Sequence, residues 1–74
     1  METDREVLER HRDSQLARLR RFEQRIHEEF TAEEIEQVGG ELLGISNEIK
    51  KIETGQVWFV VGPEGKIFRA EKTR

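Results

Sequence analysis

Apolar residues recur at helical spacing as far as Ile52 and then crowd into two short runs near the C-terminus. From about residue 3 to 29 the chain has no Gly or Pro and is rich in Glu, Arg, Leu and Gln, all strong helix formers. Its apolar stripe is Leu8, Leu16, Leu19, Phe22, Ile26 and Phe30, interrupted by Arg12, Gln15 and Glu23. The second half of this stripe is dense, whereas the first rests almost wholly on Leu8. Helix 1 is therefore expected to be well anchored from Gln15 onward, with residues 1–8 and 71–74 at frayed ends.

Phe30-Thr31-Ala32-Glu33-Glu34-Ile35 carries the pattern of a capping box. Thr31 stands at the N-cap and Glu34 at the reciprocal third position, with Phe30 and Ile35 placed as a hydrophobic staple. One helix can thus end and the next begin with almost no linker. Helix 2, over about 32–54, sets Ile35, Val38, Leu42, Ile45, Ile49 and Ile52 at spacings of three and four, an a/d seam. Glutamates sit in its first turns, Lys50 and Lys51 in its last, and Gly55 follows where a left-handed C′ residue belongs. Gly39, Gly40 and Gly44 disagree with this helix, each costing about 1 kcal/mol relative to Ala. They indicate a bend at Gly39-Gly40, a bare face against which another backbone packs, or simple tolerance.

Val57-Trp58-Phe59-Val60-Val61 is a strand by propensity, and residues 66–70 return as a second. Gly62-Pro63-Glu64-Gly65 joins them, with Pro at the second position of a type I turn and Gly65 at a left-handed bulge position. That register sets Val61 opposite Ile67, Val60 opposite Phe68, Phe59 opposite Arg69 and Trp58 opposite Ala70. One face then carries Val57, Phe59, Val61 and Ile67, and the other Trp58, Val60, Phe68 and Ala70. A hairpin with one solvated face would alternate apolar and polar; here both faces are apolar and both edges lack a neighbour. A helix of roughly 26 residues is about 39 Å long and a five-residue strand only about 17 Å, so the hairpin covers half of helix 1.

The expected fold is therefore α+β in the order α-α-β-β: an N-terminal helical hairpin followed by a two-stranded antiparallel β-hairpin, a single small domain over 1–74. It is expected to act as a homodimer through Trp58, Val60, Phe68 and Ala70, either by joining the hairpins into a four-stranded sheet or by setting the helices as a four-helix layer.

Composition bears on how this fold is stabilised. A 74-residue chain buries only roughly 60% of its unfolded surface, and with no cysteine there is neither a disulfide nor a thiolate zinc site to assist. Charged residues make up 39% of the chain, and the mean hydropathy is −0.81. No apolar run approaches the ~18 residues that span a bilayer, and the N-terminus has no apolar signal region, so a soluble cytoplasmic protein is expected. The net charge of −3 argues against non-specific nucleic-acid binding.

The candidate chemistry is sparse. His11 and His27 fall about 160° apart around helix 1 and cannot chelate one ion, and consecutive positions such as His27-Glu28-Glu29 do not converge. Glu23 is the carboxylate nearest the apolar stripe, with Arg20 and His27 as neighbours. Ser14, Ser46, Thr31 and Thr54 have no base at a recognisable spacing, and Gly62–Gly65 is too short for a phosphate loop. No enzyme, metal or cofactor is expected. Arg10, Arg18, Arg21 and Arg25 form a basic stripe on helix 1, well away from the apolar face. It is a solvated face laced with pairs such as Glu6–Arg10 and Arg25–Glu29, a strip for an acidic partner or nucleic acid using Arg18, Arg21 and Arg25, or an internal or dimer contact paired with the acidic helix 2.

The segment Leu43-Gly44-Ile45-Ser46-Asn47-Glu48-Ile49-Lys50-Lys51-Ile52-Glu53-Thr54-Gly55 resembles the turn and recognition helix of Cro/repressor-type helix-turn-helix proteins. The resemblance covers 13 residues and implies a turn at Gly44 followed by a helix that enters the major groove. Ile49 comes one position early, which rotates the reading face by about 100°. Gly39 stands where a Leu is expected, and the flanking scaffold helices are missing, so no base-contacting role is carried over. The function expected is a non-enzymatic protein–protein interaction module, a small regulatory, adaptor or inhibitor protein that binds itself and a larger protein. The alternative is a nucleic-acid-binding regulator using the arginine stripe or segment 43–55. Neither a membrane nor a small-molecule substrate is an expected partner.

Overall fold

The computed structural model describes residues 2–73; Met1 and Arg74, both among the residues expected to fray, lie outside the described residues. Three helices precede a two-stranded antiparallel sheet: α1 over Asp4–Glu29, α2 over Ala32–Gln37, α3 over Gly39–Glu53, β1 over Val57–Val61 and β2 over Ile67–Glu71. The α+β order expected from the sequence is present.

Each boundary has a local cause. The Thr3 hydroxyl accepts a hydrogen bond from the Glu6 amide (3.2 Å) and starts α1. The Thr31 hydroxyl accepts from the Glu34 amide (3.2 Å), while the Glu34 carboxylate accepts from the Thr31 amide (3.0 Å), closing the capping box. Those Thr31 bonds, the backbone one first, hold the Glu34 carboxyl below its ordinary value. Thr54 ends α3, its hydroxyl donating to the Lys50 carbonyl at 2.8 Å, and Gly55 follows at φ +80°, the left-handed C′ residue.

Helix 2 of the sequence reading is two helices. The break falls at Val38 (φ −100°, ψ 12°), immediately ahead of Gly39-Gly40, where a β-branched residue and two glycines make the helical conformation least favourable. The helical hairpin is thus α1 against α3, and α2 is a short bridge between them. Within the protomer no backbone packs against the glycines: a Cβ on Gly39, Gly40 or Gly44 would have no neighbour within 4 Å.

The strands pair in the register read from the sequence, from Val57 opposite Glu71 to Val61 opposite Ile67. The turn differs. Glu64 lies at φ +61°, ψ 20° and Gly65 at φ +74°, so two successive residues are left-handed, where a type I turn would keep Glu64 at negative φ. Pro63 at the second position and Glu64 at positive φ match a type II turn, closed by the Gly65 N–H on the Gly62 carbonyl (3.3 Å), and the Gly62 N–H donates to the Lys66 carbonyl at 2.7 Å. Gly62 is also the seat of the Phe68 ring, with which a Cβ there would collide.

The buried core is small: Ile49, Ile52 and Val57, at the junction of α1, α3 and β1. Around it, ion pairs tie the sheet to α3. Arg69 donates to both carboxylate oxygens of Glu48 at 2.7 Å, and Lys51 reaches Glu71 at 2.8 Å. Arg20 of α1 reaches Glu53 of α3 at 2.8 Å. The molecule is extended, at 48 × 32 × 21 Å with a radius of gyration of 14.9 Å, against about 11 Å for a compact chain of this length.

Candidate interaction surfaces

The hairpin divides as the alternation of side chains requires. Its inner face carries Val57, Phe59, Val61 and Ile67, all buried or half-buried against the helices. On the outer face Trp58 is 43% exposed, Val60 40% and Phe68 48%, with Ala70 half-buried beside them. Trp58↔Ala70 and Val60↔Phe68 are facing pairs, so the four side chains form one contiguous apolar patch on regular strands. α1 and α3 pack against the inner face of the sheet, and of the four patch residues Trp58 borders a groove with α1 while Val60 and Phe68 stand clear of it.

Trp58 also borders a groove of about 430 Å³ between α1 and β1, with Leu8, Arg12, Ile52, Val57 and Phe59 among the groove residues. Leu8 is therefore half-buried, and α1 is regular from Asp4 onward. It is not the sole anchor of that half. The His11 ring meets Phe59 edge-on at 4.6 Å, and Val7, His11 and Ser14 lie beside Ile67. The sequence reading counted neither Val7 nor His11 as an anchor, since neither falls on the Leu8–Leu16–Leu19 stripe.

Arg18, Arg21 and Arg25 come together around Phe22, which is 45% exposed, in a shallow depression of about 180 Å³. The basic stripe therefore borders an apolar side chain and is not separate from the apolar face. Arg25 lies 4.0 Å from Glu29, and Arg18 and Arg21 form no ion pair among the described residues. Arg10 is paired with Glu2, where the sequence suggested Glu6. Arg20 binds Glu53 and not Glu23, because the packing of α1 on α3 brings the longer-range carboxylate closer.

Segment 43–55 contains no turn at Gly44: Leu43 to Glu53 is continuous helix within α3. The helix-turn-helix resemblance thus lacks the feature that defines it. A Leu-Gly-Ile-Ser string preceded by Gly39-Gly40 has no competing cap to stop a helix here, and the apolar seam through Ile45, Ile49 and Ile52 holds it on α1. Among the described residues there is no cluster of His, Asp or Glu placed to hold a metal ion, and no helix is long and apolar enough to cross a membrane.

Comparison of the chain with protein-family models, with curated proteins and with solved structures finds no match.

Proposed function

We propose that the protein is a small non-enzymatic interaction module that works as a homodimer and engages a larger protein, with Trp58, Val60, Phe68 and Ala70 as the self-association surface. The observation that supports this is the exposed apolar outer face of the hairpin. The total surface supports it as well. The chain exposes 6120 Å², whereas a folded monomer of 8.8 kDa is expected to expose about 4,800 Å². The excess, about 1,300 Å², exceeds the roughly 800 Å² that each partner contributes to a standard interface.

The energetics bound the affinity. Aromatic side chains present 150–250 Å² each, so the exposed parts of Trp58 and Phe68 amount to roughly 200 Å² per chain, or about 5 kcal/mol at ~25 cal/mol per Å². Two copies gain about 10 kcal/mol against an association cost of at least ~4 kcal/mol. A contact made by these rings alone is therefore no tighter than tens of micromolar. Sedimentation equilibrium from micromolar to millimolar concentration tests the proposal: a concentration-dependent dimer supports it, and a monomer throughout contradicts it.

A second function is favoured by a separate observation, the two arginines without an ion pair beside Arg25. A nucleic-acid-binding regulator would use Arg18, Arg21 and Arg25, and its affinity for duplex DNA would fall steeply with salt. Absence of binding at low salt removes it.

A further inference from the structure

Val7, His11, Ser14, Arg18, Phe22 and Arg25 lie within about 80° of one another around α1 at 100° per residue, so they form one stripe. Of the first three, His11 packs on Phe59, and all three border a cleft with Ile67 of the hairpin. The last three, on the same side of the helix, continue past it as the exposed depression centred on Phe22. From His11 to Phe22 the helix rises about 17 Å, which is also the length of a five-residue strand. The hairpin therefore occupies one end of the two-helix layer and leaves a bare shelf around Phe22, about 17 Å further along α1.

We propose that the second copy's hairpin fills this shelf: the outer face of one protomer, Trp58, Val60 and Phe68, seats on Phe22 of its partner, and the reverse contact is made by the other pair. A two-fold axis generates both contacts at once, and each protomer's step accommodates the other's hairpin. This rests on the homodimer proposed above and specifies what the outer face meets. Two observations select the shelf over the partner's own outer face. Phe22 brings roughly another 100 Å² of exposed ring per chain into the interface, area that the outer faces alone lack. Arg18 and Arg21, free of ion pairs among the described residues, and Arg25 beside them stand around Phe22, positioned to lie over the π-faces of Trp58 and Phe68.

The test uses the full chain with Phe22→Ser and Val60→Lys made separately, each followed by sedimentation and circular dichroism. Under the proposal both variants dimerise at least tenfold more weakly than the parent. A parent that stays monomeric removes the homodimer itself. A parent that dimerises with Phe22→Ser unchanged leaves the homodimer standing and overturns the shelf. If Phe22→Ser unfolds, Phe22→Cys and Val60→Cys chains are mixed under oxidation, a clean readout because the natural chain has no cysteine. A disulfide between the two different chains then supports the shelf. Cross-linking confined to Val60→Cys with itself overturns it.

Discussion

Replacing Val60 by Lys separates self-association from folding. Val60 sits mid-strand on the outer face, 40% exposed, opposite Phe68. In the protomer a lysine there can run its methylenes along Phe68 and leave the ammonium in water. The cost is then a difference in strand preference, at most about 1 kcal/mol, or roughly 4–8 °C in Tm for a chain of this size. In a dimer that covers this face, each copy brings one ammonium under its partner. An unpaired buried ammonium costs several kcal/mol; allowing about 2 kcal/mol per copy after partial escape to solvent, the pair costs about 4 kcal/mol, roughly a thousandfold in Kd. Sedimentation reads the second quantity, and thermal melting at concentrations below the dimer constant reads the first. Self-association within threefold of the parent refutes the assignment of the outer face. So does a protomer that loses more than ~3 kcal/mol, because that would place Val60 in the core. Trp58 is a poorer probe, since more than half of it is covered within its own chain, where it borders the Leu8 groove.

Other substitutions test the fold beneath this surface. Gly44→Ala should raise stability by about 0.5–1 kcal/mol in urea melts, because it restores helix propensity where no neighbour stands within 4 Å; a loss would mean that another surface closes on that face. Glu64→Gly should stabilise by roughly 1 kcal/mol through relief of a left-handed conformation at φ +61°, and an unchanged midpoint would show the turn to be unstrained. Acid should weaken the fold. The Arg69 hydrogen bond holds the Glu48 carboxyl below its ordinary value of 4.5, and Lys51 does the same for Glu71. Carboxylates lowered on folding contribute stability that is complete above the unfolded value and is lost as pH falls through the folded one. Stability should therefore hold near neutrality and decline below about pH 4.5, and Glu48→Gln should flatten the decline, as read by urea midpoints from pH 7 to 3.

The sequence made some parts of this structure legible because single local rules decided them. The capping box at Thr31 and Glu34 and the register from Trp58↔Ala70 to Val61↔Ile67 needed only nearest-neighbour chemistry. So did the left-handed Gly55. The split of helix 2 was legible as a choice among three outcomes, since Gly39-Gly40 weakens a helix without stating whether packing will hold it. The turn at Glu64 was not decided by sequence, because Pro63 suits the second position of type I and type II turns alike, and Glu64 is not a residue that signals positive φ. Long-range pairs were not legible at all: Arg69–Glu48 and Arg20–Glu53 follow from how the layers stack, and many acids lay at plausible distances along the chain. The outer apolar face was readable as a pattern. The shelf around Phe22 was not, because it depends on where along α1 the hairpin stops.

The central claim is that this protomer leaves apolar surface which a second copy covers. Sedimentation equilibrium of the unmodified chain between micromolar and millimolar concentration tests it most directly. A reversible monomer–dimer equilibrium within that range is the expected result, with a midpoint of tens of micromolar where the Trp58 and Phe68 rings alone carry it and a tighter one where Phe22 adds its area. A single 8.8 kDa species across the whole range would contradict it.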